Sequence, residues 1–320
     1  MKDCSMASST DHAFTTKNRK SASSEPAYAG ALSFMRRQYS KNTKDADVVI
    51  WGIPFDAAVS NRPGARFGPQ AIRRASEIFC NDPQYPFGLD LFEYLSIIDY
   101  GDCDLDYGNH WKTPAAIEKQ AGAILKSGAF LYSMGGDHFV TWPLLKAHAA
   151  IHGPMALVHF DAHQDTWFDD DKRIDHGSFV ARAVRQGIID PKRSIQIGIR
   201  TKAPEDFGIR IIPGHEVEEM GSAEIAKAIL QHVGNAKAYV TFDIDCLDPA
   251  YAPGTGTPVA GGPSSSKMLS VIQRLEALNI VGSDVVEVAP AYDHADITAI
   301  AGATVAMYVI SLLAKKKAKG

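Results

Sequence analysis

The sequence predicts an α/β fold: a mostly parallel sheet covered by helices on both faces. Three observations predict it. Short β-rich apolar runs recur along the 320 residues, nearly continuous rather than alternating, as strands covered on both sides read. Helical patterns separate most of them, the alternation that builds a parallel sheet. There is no internal repeat and no long linker, so the count is one domain.

The runs, in order, are 48–55, 95–102, 130–136, 156–163, 194–200, 209–214, 238–246 and 280–288, eight in all. Helical patterns lie at 114–128 and 222–234, and Gly68 with Pro69 marks a helix start. Residues 1–26, Ser-rich and without a hydrophobic core, read as a disordered extension, leaving 27–320 as the domain. The basic end 315–320 reads as a frayed, solvated tail. No apolar run is expected to reach the ~18 residues of a spanning helix, so no membrane partner is expected. A net charge of −4 gives no footprint for nucleic acid. Cys4, Cys80, Cys103 and Cys246 form no CxxC pair, which suits a reducing, cytoplasmic setting. Cys246 reads as a small buried filler.

In open parallel sheets chemistry collects beyond the carboxyl ends of strands. Every polar cluster of this chain lies there: Gly-Gly-Asp-His at 135–138, Asp-Ala-His-Gln-Asp at 161–165, Asp-Ile-Asp at 243–245 and Glu287. If the chain stays extended, Asp161, His163 and Asp165 point to one side, as do Asp243 and Asp245. Buried carboxylates need pairing or metal, and no Lys or Arg accompanies these locally. Salt bridges and caps are the plainer alternative. His138, Asp161, His163, Asp165, Asp243 and Asp245 offer four carboxylates and two imidazoles, a set favouring Mn²⁺. Six donors suit two ions, ~3.5–4 Å apart and bridged by carboxylates.

Three segments carry a resemblance: 133–143 (SMGGDHFVTWP), 158–167 (VHFDAHQDTW) and 241–258 (TFDIDCLDPAYAPGTGTP). With them the chain resembles the ureohydrolases, which include arginase and agmatinase, from about residue 28 to about 313. The resemblance implies a three-layer αβα sandwich around an eight-stranded sheet, assembled as a homotrimer or homohexamer. It implies two Mn²⁺ per chain: His138 and Asp165 on one ion, His163 and Asp245 on the other, Asp161 and Asp243 bridging. It further implies that Glu287 binds the guanidinium of a small substrate and that His176 and Asp165 serve proton transfer. Alone, His176 would read as a loop histidine and Glu287 as equally a salt-bridge partner.

The expected reaction is hydrolysis of agmatine to putrescine and urea. The alternatives are another guanidino compound such as 4-guanidinobutanoate, or a catalytically silent subunit. A single-metal deacetylase on a related fold is disfavoured by the second ion's ligands. For the substrate tail, Trp167 and Phe168 offer ring faces, and Asp169, Asp170 and Asp171 offer charge to an ammonium; the plainer reading of the three acids is a solvated loop. His294 is a further candidate for the pocket. Arg62, Arg66, Arg73 and Arg74 read as subunit or intrasheet contacts, and 252–258 as pocket wall rather than a phosphate loop.

Overall fold

The computed structural model describes residues 11–20, 23, 25–79 and 83–319. Its centre is one nine-stranded sheet, every pairing parallel. The strands are β1 Gln38–Tyr39, β2 Val48–Gly52, β3 Ile97–Asp102, β4 Phe130–Met134, β5 Ala156–Phe160, β6 Ile195–Ile199, β7 Arg210–Pro213, β8 Lys237–Asp243 and β9 Asn279–Val286. All eight expected runs are strands. The ninth is β1, a two-residue edge too short and polar to register as an apolar run.

The sheet order is β1-β3-β2-β4-β9-β8-β5-β6-β7. The chain fills one half, crosses over after β4, and later returns with β8 and β9 to close the gap between β4 and β5. The strand ends 134, 160, 243 and 286 thereby become neighbours.

Alternate residues of each strand feed two separate cores. Val48 and Ile50 join one and Val49 and Trp51 the other, all fully buried. That is why the runs read as continuously apolar, and it makes the fold a three-layer αβα sandwich. Thr113–Leu125 and Ser222–Val233 are helices as expected, and Gly68–Ala75 carries its proline in the first turn.

Two expectations are corrected. The helix Ile297–Lys319 has 23 residues and an 18-residue window of mean hydropathy 2.0, long and apolar enough to cross a membrane. Here 78% of that window is buried inside the domain, so it is a core helix whose apolar stretch is enclosed by the protein itself. The basic end is not frayed: residues to Lys319 continue this helix, Lys315 pairs with Glu276 at 2.7 Å and Lys317 with Asp47 at 2.5 Å.

The expected extension falls partly outside the described residues, as do Cys4 and Cys80. Its described part lies against the domain. Ala13 is buried, Glu25 pairs with buried Arg36 at 3.3 Å, and Arg19 donates to the carbonyls of Lys44 and Asn42 at 2.6 and 3.0 Å.

Candidate metal centre

The site forms where β4, β9, β8 and β5 end side by side. After β4, Gly136 lets the backbone pass under Phe55: an added Cβ would lie 1.6 Å from the Phe55 carbonyl oxygen. Asp137 then caps the turn His138–Val140, accepting from the amides of Phe139 and Ala58 at 3.2 and 2.8 Å. It is a scaffold carboxylate, raised well above the usual carboxylate range by burial and by Glu287.

Asp161, His163 and Asp165 do converge, but not as an extended strand. β5 stops at Phe160, and Asp165 has φ +52°. Glu287, just past β9, has φ +63°. Left-handed backbone in a non-glycine residue costs ~1–2 kcal/mol and persists where the surroundings impose it. Asp243 likewise closes a turn, its Oδ1 accepting the Asp245 amide at 2.8 Å.

The donors meet at His138. Its Nδ1 lies 3.0 Å from Asp161 Oδ2, 3.2 Å from Asp165 Oδ2 and 3.0 Å from Asp243 Oδ2. His163 Nδ1 lies 3.3 Å from Asp161 Oδ1 and 3.2 Å from Asp245 Oδ2. Asp161 thus turns one oxygen to each histidine. All of these carboxylates are buried. Burial pushes Asp243 well above the ordinary range, helped by Asp245 and Asp161, while Asp161, despite burial, is held well below it with His159 the leading cause.

Hydrogen bonding decides what this cluster fits. His138 Nε2 meets the Thr241 hydroxyl at 2.8 Å, and that hydroxyl donates to Asp284 at 2.5 Å. The Thr241 oxygen is therefore an acceptor, Nε2 carries the imidazole proton, and Nδ1 presents a lone pair. Three carboxylate oxygens surround that lone pair, and Nδ1 is buried without a hydrogen-bond partner. A lone pair facing three anions fits a cation. The donors are hard oxygen with imidazole and no thiolate, as Mn²⁺ or a similar divalent ion prefers.

A polar row beneath the cluster escaped sequence reading. Ser133, Asp284, Thr241, His159 and Gln196 are lateral neighbours across β4, β9, β8, β5 and β6. His159 belongs with His138, Asp161 and Asp165 in a group of candidate ligands. Its protonation shows otherwise. The Gln196 amide nitrogen donates to the Gln164 carbonyl at 2.7 Å and to His159 Nδ1 at 2.9 Å. The His159 proton then sits on Nε2, which donates to Asp161 Oδ2 at 2.6 Å. His159 holds a ligand in place rather than being one. Its signal was its position, two residues before Asp161.

A cavity of about 400 Å³ opens onto the cluster, lined by residues including His138, His163, Asp165, Asp243, Ser60, Trp167 and His176. His176 Nδ1 lies 2.8 Å from Glu287 Oε1, which also accepts the His138 amide at 2.9 Å. Glu287 Oε2 is buried without a partner.

The acidic-loop reading is corrected. Phe168 lines the cavity with Trp167, but Asp169, Asp170 and Asp171 do not. Asp169 is buried on Arg182 and Arg185 at 2.5 and 2.6 Å, because an unpaired carboxylate there would be costly. Arg173 and Asp175 from the same loop reach the cavity instead. His294 is exposed and outside it. Arg73 is a contact within the subunit, from the helix Gly68–Ala75 to the sheet, on Asp99 at 2.8 Å and Asp102 at 2.7 Å. Cys246 is buried and free.

A family model described as the arginase family matches residues 46–311. The chain is 48% identical to an agmatinase of Chromobacterium violaceum over 97% of each chain. It is 50% identical to an agmatinase of Neisseria meningitidis over 85% of this chain and 89% of that one. A crystal structure of a hypothetical agmatinase from Burkholderia thailandensis superposes with TM-score 0.95 at 48% identity, covering 96% of this chain and 98% of that one. The proclavaminate amidino hydrolase of Streptomyces clavuligerus gives 0.86 at 37%, covering 91% and 99%. Matched by the family model over residues 46–311 and 48–50% identical to these relatives over most of its length, the chain belongs to the arginase family.

Proposed function

We propose that this chain hydrolyses agmatine to putrescine and urea, with two Mn²⁺ held by His138, Asp161, His163, Asp165, Asp243 and Asp245. The observation that carries the reading is a pair of unmet demands, one on the cavity wall at His138 and one just behind it at Glu287, which bonds to His176 and the His138 amide. His138 Nδ1 faces three carboxylates and asks for a cation, and Glu287 Oε2 is a buried anionic oxygen with no partner. Relatives that bear the name agmatinase, at 48–50% identity, support the substrate.

When bound, such ions lower the pKa of water so that a nucleophile is available near neutral pH. The protein's own groups do the rest. Glu287 Oε2 takes the guanidinium by a directional, charge-assisted hydrogen bond. Its Oε1 is already fixed by His176 and the His138 amide, so the free oxygen cannot swing away. Asp161 presents an oxygen to each half of the cluster and is the better-supported bridge. Asp243 spends Oδ1 on the Asp245 amide and faces His138 with Oδ2. Asp165 and His176 are the groups placed to hand a proton to the leaving amine. Trp167 and Phe168 flank the path of the tail. A homotrimer or homohexamer and a cytoplasmic setting belong to the same proposal, on family resemblance.

A second reading has its own support: Arg173 lines the cavity, which suits a carboxylate tail such as that of 4-guanidinobutanoate. Urea release from agmatine, arginine and 4-guanidinobutanoate, side by side with added Mn²⁺, decides between them. The expected result is the highest kcat/KM for agmatine. Preference for a carboxylate substrate overturns it, and so does inertness toward all three.

A further inference from the structure

His176 lines the cavity, but both of its ring nitrogens are engaged. Its Nδ1 is taken by Glu287 at 2.8 Å. Its Nε2 is taken by Ser60, whose hydroxyl lies 2.8 Å away and whose amide donates at 3.1 Å. The imidazole side chain is only 10% exposed, whereas Ser60 is exposed and lines the cavity. The hydrogen-bonded route from Nε2 into the cavity therefore runs through the Ser60 oxygen.

We propose that Ser60 is a catalytic residue, its hydroxyl relaying the proton from His176 Nε2 to the departing amine nitrogen. The proposal rests on the guanidinium-hydrolysis reading. In the resting neutral form, Nδ1–H donates to Glu287 and Nε2 accepts from the Ser60 amide and hydroxyl. In the charged form, Nε2–H donates to Ser60 Oγ, and the hydroxyl hydrogen turns outward. Burial of the ring opposes the charged form, while Glu287, hydrogen-bonded to it at 2.8 Å, favours it, with smaller help from the charges of Asp137 and Asp165. The Ser60 amide opposes it, and Arg173 and Asp175 line the cavity outside.

The step balances. As the carbon–nitrogen bond breaks, the leaving nitrogen keeps the electron pair and takes the Ser60 Oγ proton. Ser60 takes the Nε2 proton, leaving His176 neutral. Overall, an alkylguanidinium and water give urea and an alkylammonium, so the proton His176 spends is replaced from the water consumed. Ser60 bonds to no carbon.

The test compares wild type, Ser60→Ala and Ser60→Thr, all loaded with Mn²⁺, on agmatine and on its oxyguanidine analogue. The leaving nitrogen of the analogue is a far weaker base and needs little acid help. General acid assistance is worth ~10²–10⁴-fold, so Ser60→Ala should lower kcat on agmatine by ~10²-fold with KM little changed. On the oxyguanidine the loss should shrink to under ~10-fold, because proton delivery no longer limits bond breaking. Ser60→Thr keeps the hydroxyl and should retain most of kcat. In the metal-free protein, ¹⁵N-histidine NMR should show the His176 Nε2 resonance moving in Ser60→Ala but not in Ser60→Thr. Equal losses on both substrates would make Ser60 a positioning residue and overturn the relay. Full activity of Ser60→Ala would overturn it too, as would a Ser60 amidino adduct found by mass spectrometry. A wild type inert on every guanidino compound would instead bring down the proposed function, and the relay with it.

Discussion

Replacing His159 by Phe tests whether the row beneath the site holds Asp161, the carboxylate proposed to bridge the ions. The change removes one hydrogen bond, from Nε2 to Asp161 Oδ2 at 2.6 Å, with both side chains fully buried. Ring size and the contacts to His138 and Phe179, at centroid distances of 5.0 and 5.7 Å, are kept. A hydrogen bond to a charged group contributes ~1.5–3 kcal/mol. Loss of a group that orients a ligand typically costs ~10–100-fold in metal affinity, or about 1.4–2.7 kcal/mol. The two routes agree, so Mn²⁺ affinity should fall ~10–100-fold. A separate cost falls on folding: the Gln196 N–H that pointed at Nδ1 is left buried and unpaired, worth ~1–3 kcal/mol. Affinity is read by competition against a calibrated chelator, and folding by urea denaturation of the metal-free protein. A folded variant with unchanged Mn²⁺ affinity would refute the reasoning.

Asp169→Ala should destabilise the protein by ~3–5 kcal/mol, since it removes the buried carboxylate from Arg182 and leaves it the Arg173 carbonyl and Asp171 at 3.8 Å, and should leave the ratio of agmatine to 4-guanidinobutanoate activity unchanged; denaturation and paired kinetics check the two halves. The His176 imidazole is pulled down by burial but pushed up to about 9 by Glu287, above its ordinary 6.5. A raised folded-state pKa stabilises fully below pH 6.5 and loses that contribution as pH climbs through about 9, so wild type should lose its advantage over Glu287→Gln across that window in urea melts at stepped pH. Glu287→Gln should keep both metals in elemental analysis while raising KM, and metal loss would count against its guanidinium role. Mn²⁺ at 100 times its dissociation constant should add ~2.7 kcal/mol to stability for each ion bound, and saturation at one ion per chain in an active preparation would sink the two-ion site.

The amino-acid order alone marked eight of the nine strands, because continuous apolar runs are a local signal of burial on both faces. It also marked where chemistry would sit, since His138, Asp161, His163, Asp165, Asp243, Asp245 and Glu287 all follow such runs. Other features were not legible. Asp169 looks identical to Asp170 and Asp171 in sequence, yet only Asp169 is buried against Arg182 and Arg185, on a helix that follows the loop. Asp161, His163 and Asp165 converge through a turn and a left-handed residue, a backbone path that residue spacing does not encode. Ser60 meets His176 across 116 residues, and Thr241 meets His138 across 103. The row Ser133, Asp284, Thr241, His159 and Gln196 exists only because β8 and β9 return to fill the gap between β4 and β5. A strand's pattern reports that both its faces are covered, but not which strand lies beside it. Neighbours are chosen by the packing of the whole sheet, and here that packing sets which side chain holds each ligand and where each proton sits.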